Sequence, residues 1–213
     1  MNKETMNIHK ALVELKTLDA RIDKAMVGVS FIATKKHESE NIRGVSVSEA
    51  TEAMVSAYNS VNDLISRRTA IKRAVVLSNA KTEVTIAGQT YTVAEAIEMK
   101  NHGLDGKRKL LSIMRSQYEE CSARAERENN QLETTRADTY IKETFAATDI
   151  SKSGEAVQKA RKEYIEKQTV ELVNPLKLLD KITALDTEIN DFMVEVDSAL
   201  SVSNAKTEIE IEY

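Results

Sequence analysis

SNAKTEVTI at residues 78–86 and SNAKTEIEI at residues 203–211 repeat the same six residues and then an alternating apolar pattern. Ser and Asn compete with the helical backbone for hydrogen bonds, and Asn tolerates the left-handed conformation in which many helices end. The alternation that follows has the period of a half-buried strand: Ile209, Ile211 and Tyr213 fall on one side, Glu208, Glu210 and Glu212 on the other. The repeated unit is therefore a helix end followed by a strand start, with Asn79 and Asn204 as expected helix-to-strand caps. After the first copy, KTEVTI-AGQ-TYTV reads as a β-hairpin over 82–92 turning at Gly88. A two-stranded hairpin is marginal in water, so the C-terminal strand 206–212 is expected to join it in a three-stranded antiparallel sheet. Pairing within one subunit and pairing between two are both compatible with this pattern.

Working outward, apolar residues recur at helical spacing. Ile8, Leu12, Leu15, Ile22, Met26 and Val29 predict a helix from about Thr5 to Lys36, its seam interrupted by Asp19. Ser46 and Glu49 form a capping box that opens a second helix, with a seam through Val47, Met54, Tyr58, Val61, Ile65 and Val75, Leu64 and Ile71 beside it, and a stop near Leu77. Each would be about 45 Å long, and together they make an antiparallel hairpin. Thr92 and Glu95 form another capping box, so a third helix starts at Val93 and carries Ile97, Leu104, Leu111, Met114, Tyr118 and Cys121, with a bend expected near Gly103 and Gly106. Residues 123–153 are polar and irregular, expected as a helical extension, a mobile or protruding excursion, or a partner surface. Helical pattern returns at Ala156, Ala160, Tyr164, Ile165 and Leu172. Asn174 and Pro175 then open a last helix with the seam Ile182, Leu185, Ile189, Phe192, Val196 and Ala199. The fold class is mainly α: long antiparallel helices in a coiled-coil-like bundle, with a small three-stranded β-sheet at one end, all in one elongated domain over 1–213.

Composition supports that class. The 213 residues are 30% charged and 4% aromatic, with no Trp, one Pro and six Gly, which suits helices with thin apolar seams. A net charge of −4 argues against a dedicated nucleic-acid binder. The single Cys121 can form no internal disulfide, which favours a reducing, cytoplasmic setting. No stretch has the roughly 18 apolar residues of a spanning helix or the apolar core of a signal peptide.

Chemistry-bearing motifs are absent from the sequence. It has no P-loop, no dinucleotide fingerprint, no zinc-protease helix, no paired cysteines and no nucleophile elbow. His9, His37 and His102 share no ligand spacing, and Cys121 on the apolar face of its helix reads as a small buried hydrophobe. No enzyme activity, metal or cofactor is expected. One cluster stands out: Arg67, Arg68, Lys72 and Arg73 late in the second helix, with His102, Lys107, Arg108, Lys109 and Arg115 in the third. Register across the hairpin would place Lys72 opposite Glu98 and Asp63 opposite Lys107. These cations then serve either as interhelical ion pairs or, through Arg67, Arg68, Lys72, Arg73, His102, Lys107, Arg108 and Arg115, as a pocket for a phosphate or nucleotide.

The stretches SNAKTEVTIAGQTYTVAEAIEMKN at 78–101 and VNPLKLLDKITALDTEINDFMVEVDSALSVSNAKTEIEIEY at 173–213 resemble an uncharacterised family of small proteins from low-GC Gram-positive bacteria and their phages, loosely related to septicolysin-like proteins. The first helices are similar only in pattern. The resemblance implies a phage or prophage origin and supplies no site residues.

Two functions follow as expectations. The first is a non-enzymatic, homo-oligomeric helical structural or interaction protein, such as a virion or assembly component. The alternative is a phage-encoded anti-defence protein that sequesters a small anionic, nucleotide-derived signal. Strand edges and long seams favour self-association in either case.

Overall fold

The computed structural model describes residues 3–146 and 154–213. Its elements in chain order are β1 (Lys3–Asn7), α1 (Ile8–Val27), β2 (Asn41–Ile42), β3 (Val45–Ser46), α2 (Val47–Asn79), β4 (Glu83–Ile86), β5 (Gln89–Thr92), α3 (Val93–Glu98), α4 (Asp105–Gln131), α5 (Ala137–Phe145), α6 (Glu155–Gln168), α7 (Leu178–Lys206) and β6 (Glu208–Glu212). The chain is mainly helical, as its periodicity predicts. Where length suggests one domain, packing groups the residues into two compact units: Met1–Gly103 with Asp191–Tyr213, and Leu104–Asn190.

In the first unit, α1 and α2 form the expected helical hairpin. Its real seam on α1 runs through Ile8, Ala11, Leu15, Leu18 and Ile22, stepping by three and four, while Leu12 and Met26 face solvent. Alanine is a weak hydrophobic signal, which is why Leu12 looks like the seam position from sequence. Asp19 does not interrupt the seam at all, because it lies outside it. On α2 the buried positions Ala50, Val61, Ile71 and Val75 face inward, and Leu64 packs against the core. The Ser46–Glu49 capping box closes both ways, the Ser46 hydroxyl accepting from the Glu49 amide and the Glu49 carboxylate accepting from the Ser46 amide. Met6, Ile8, Ala11, Leu18, Ile71, Val75, Ile209 and Ile211 form one buried cluster. Each fully buried Ile or Leu there contributes about 1.5–3 kcal/mol.

The sheet prediction is corrected. Among the described residues there are three separate two-stranded antiparallel sheets, β1–β6, β2–β3 and β4–β5, and no three-stranded one. The 82–92 hairpin forms, turning through Ala87 at φ 49° and Gly88 at φ 74°, the left-handed pair that a tight hairpin requires. The C-terminal strand, however, leaves that hairpin and pairs with β1, from Lys3 opposite Glu212 to Asn7 opposite Glu208. The periodicity places Thr5–Asn7 in the first helix; pairing with β6 makes Lys3–Asn7 a strand instead. The helix begins instead at Ile8, capped by the Asn7 side chain, which accepts from the Lys10 amide at 2.8 Å. It ends at Val27 and not near Lys36.

The Asn caps are corrected too. Asn79 is the last helical residue of α2, and the cap is Ala80 in right-handed conformation. Asn204 lies inside α7, which runs on to Lys206. Neither takes positive φ. At both ends the last helical backbone bond falls at the same place in the repeat: the Ser78 carbonyl accepts from the Thr82 amide at 2.8 Å, and the Ser203 carbonyl from the Thr207 amide at 2.9 Å. Beyond β5, α3 gives way to a π turn over Met99–Gly103.

In the second unit, α4 continues as helix to Gln131, a π turn spans Leu132–Arg136, and α5 follows. Of the readings for 123–153, the helical extension describes residues 123–145; residues 147–153 lie outside the described residues. Leu104, Leu111, Ala125, Leu132, Ala137, Ile141, Ile182 and Ile189 are its buried apolar residues. Tyr140 of α5 stacks on Tyr164 of α6, centroids 4.2 Å apart. Arg161 donates to Asp138 at 2.8 Å and to the Glu133 carbonyl at 2.6 Å. Asn129 accepts from the Val170 amide at 2.8 Å and donates to its carbonyl at 3.0 Å, pinning the chain after α6. The last helix starts three residues after Pro175. Asn174 still caps it, accepting from the Leu178 amide at 2.8 Å.

Candidate functional site

The eight cations singled out from sequence fall into engaged and free groups. Arg67 is the most engaged. Its side chain is 18% exposed, and its guanidinium donates to Glu14 of α1 at 2.5 Å, to Glu4 of β1 at 2.8 Å, and to the Tyr213 hydroxyl. It also lies over the Tyr213 ring, 4.8 Å from the centroid. One planar fork on α2 thus holds a helix, the first strand and the residue after the last strand together. The hydrogen bond to Glu14, with that to Glu4, raises the Arg67 pKa further above the ordinary arginine value, so it stays charged. The hydrogen bond from Arg67 foremost, helped by Lys10, holds the Glu4 carboxyl below its ordinary value.

Arg68 donates to Asp19 on α1. Lys107 pairs with Glu188 of α7, in place of the expected Asp63. Arg115 meets Asp186 at 2.9 Å and Arg108 meets Asp105 at 3.5 Å. The carboxylates that neutralise α4 thus come from α7 and its own first turn, which a register across the first hairpin does not reveal. Arg108 and Arg115 line a shallow, open groove in the second unit with Ser112, Ser116 and Asp186. Lys72, Arg73 and His102 are exposed. They make no ion pair or hydrogen bond among the described residues, and Lys72 does not meet Glu98. Each of the five engaged cations carries its own countercharge.

The other sequence candidates are placed plainly. His9, His37 and His102 are all exposed on different segments, and no group of His, Cys, Asp and Glu among the described residues is placed to hold a metal ion. Cys121 is exposed, not buried, because α4 turns its other face inward. No helix among the described residues is long and apolar enough to cross a membrane.

What sequence reasoning missed is a second apolar stripe on α2. Val55, Tyr58 and Ile65 are 54%, 60% and 40% exposed, although each is a large apolar side chain. With Asn62 they step by three, four and three, the spacing of a coiled-coil seam, on the flank of the seam that faces α1. The sequence signal was present: Tyr58 and Ile65 were read into the inner seam, and only burial separates the two stripes. A groove lined by Thr51, Glu52, Ser56, Asn59, Ser60 and Asp63 runs beside Val55. Comparison of the chain with protein-family models, curated proteins and solved structures gave no match.

Proposed function

We propose that the protein works by self-association, as a non-enzymatic, homo-oligomeric helical structural or interaction component, phage- or prophage-encoded, of the kind that builds or helps assemble a virion. One observation carries the reading: α2 has one stripe buried against α1 and a second at coiled-coil spacing, whose large side chains Val55, Tyr58 and Ile65 stay exposed around a half-buried Asn62. A helix with apolar stripes on two flanks needs a second partner helix to bury the outer one. Asn62 within it would fix register, since a polar seam residue tolerates only the pairing that satisfies it. Replacing Val55, Tyr58 and Ile65 together by Lys should lower the particle mass seen by light scattering while leaving the thermal midpoint within a few degrees. An unchanged mass would remove this stripe as the assembly surface.

The alternative, sequestration of a small anionic nucleotide-derived ligand, keeps support from Lys72 and Arg73, adjacent, exposed and without countercharge among the described residues. It is the weaker reading because five of the eight candidate cations would have to release carboxylates to take a ligand. Thermal shift against nucleotides and cyclic nucleotides tests it, since tight binding to the folded state alone raises stability by mass action.

A further inference from the structure

The two SNAKTE copies belong to two copies of one joint. In the first, α2 ends, the Thr82 amide bonds the Ser78 carbonyl, and β4 pairs with β5; the Thr82 carbonyl then accepts from the Val93 amide, the first residue of α3, at 2.8 Å. In the second, α7 ends, the Thr207 amide bonds the Ser203 carbonyl, and β6 pairs with β1; the Thr207 carbonyl accepts from the Ile8 amide, the first residue of α1, at 3.0 Å. The registers superpose residue for residue. Glu83 faces Thr92 as Glu208 faces Asn7, Val84 faces Tyr91 as Ile209 faces Met6, and Ile86 faces Gln89 as Ile211 faces Glu4. Even the caps agree: Thr92 accepts from the amide three residues on, as Asn7 does. Val84 and Ile86, like Ile209 and Ile211, are buried.

The joints differ in one respect. β4 and β5 are tied by the two-residue Ala87–Gly88 turn, so their pairing is necessarily internal. β6 and β1 are connected only through the whole of the intervening chain, and Arg67 takes the place of a turn by gripping Glu4 of one strand and Tyr213 beyond the other. Among the described residues, the contacts that seat β6 lie mainly on β1 and α2: the ladder to β1, the Met6–Ile8–Ile71–Val75 cluster for Ile209 and Ile211, and Arg67 for Tyr213; the helix end before it, Ser203–Thr207, lies beside Thr82–Thr85. None of these contacts depends on which copy of the chain supplies the strand. We propose that this seat is exchangeable, and that it takes the Ser203–Tyr213 segment of a second copy of this chain in the same register, closing the joint between subunits. This is strand addition with side-chain pockets for alternate residues. Because the exchanged joint repeats the internal one, it creates no new interface to optimise, and concentration decides between them.

The proposal rests on the self-association reading, and the experiment separates the two. Thr5 and Glu210 face each other across β1 and β6, and both are exposed. The Ile8–Thr207 bond makes theirs a non-hydrogen-bonded pair, with Cα atoms about 4.5 Å apart, inside the range a disulfide spans. In a Cys121→Ser background, one preparation carries Thr5→Cys and another Glu210→Cys; they are mixed, incubated at high protein concentration and oxidised. The expected result is a covalent dimer containing one of each. The same protocol with Thr90→Cys and Thr85→Cys, the corresponding pair in the turn-tied joint, should give none. If light scattering shows an oligomer but the Thr5→Cys and Glu210→Cys preparations do not cross-link above that control, the seat is closed internally and the proposal fails while self-association stands. If the protein has the mass of one subunit at every concentration, both fail.

Discussion

Replacing Arg67 by Ala tests how the seat is held. Arg67 is 18% exposed, Glu14 is 18% exposed and Glu4 is 34% exposed, so the substitution strands carboxylates that water reaches only in part. A hydrogen bond to a charged group is worth about 1.5–3 kcal/mol when buried. Arg67 makes two to carboxylates and one to the Tyr213 hydroxyl, with the ring contact adding about 0.5–1 kcal/mol. Partial rehydration of Glu4 and Glu14 offsets part of that sum, leaving an expected loss of about 2–4 kcal/mol. Arg67→Lys keeps the charge but not the fork, so it should recover only part of the loss. Arg68→Ala, which removes an exposed pair on the same helix, should leave the denaturation midpoint nearly unmoved. The assay is urea unfolding followed by circular dichroism, with hydrogen exchange at the Ile8 and Val93 amides as a local readout. Exchange should quicken at Ile8 in Arg67→Ala and stay unchanged at Val93. A loss below about 1 kcal/mol, or equal quickening at both amides, would refute the idea that Arg67 holds the β1–β6 joint.

Other expectations follow from the same contacts. Ile71, fully buried in the cluster beneath β6, should cost about 2–5 kcal/mol when cut to Ala, measured by the same unfolding curves. The Glu4, Glu49 and Glu95 carboxyls are held below the ordinary glutamate value by the Arg67 guanidinium, the Ser46 hydroxyl and the Thr92 amide respectively. Their stabilisation is therefore complete above the ordinary glutamate range and lost as pH falls through the lower folded values. The unfolding midpoint should drop on acidification, and Glu95→Gln should flatten that drop. Opening the chain between Ala87 and Gly88 while linking residue 213 to residue 3 through a short flexible linker should give a folded protein with a near-native spectrum, because the two joints then trade roles; a molten product would show that they are not equivalent.

The two capping boxes were legible because each is local: a side chain three residues away suffices. The α2 inner seam was legible only in part: Val61 and Val75 are buried, while Tyr58 and Ile65, at nearly the same spacing, are exposed. On α1 the seam was read one position off at Leu12, since Ala11 carries little hydrophobic signal though it is fully buried. β1 was not legible because Lys3–Asn7 becomes a strand only by pairing with residues some two hundred positions away. Its joint still had a trace in sequence: MNI at 6–8 sets a polar cap between two apolar residues, as YTV does at 91–93. The cation cluster was legible as composition but not as a site, since the partners of Lys107 and Arg115 lie on α7, far along the chain. Cys121 was placed on the wrong face because α4 has few apolar residues to fix its rotation, and Leu111 and Ala125 define the buried side.

The claim that α2 carries a second, intermolecular seam is tested most directly by sedimentation equilibrium of the unmodified chain over a wide range of concentration. The account predicts a mass that is a multiple of 23.8 kDa and that falls toward one subunit only on dilution. A mass of 23.8 kDa throughout, with Val55, Tyr58 and Ile65 exposed and unpartnered in solution, would contradict it.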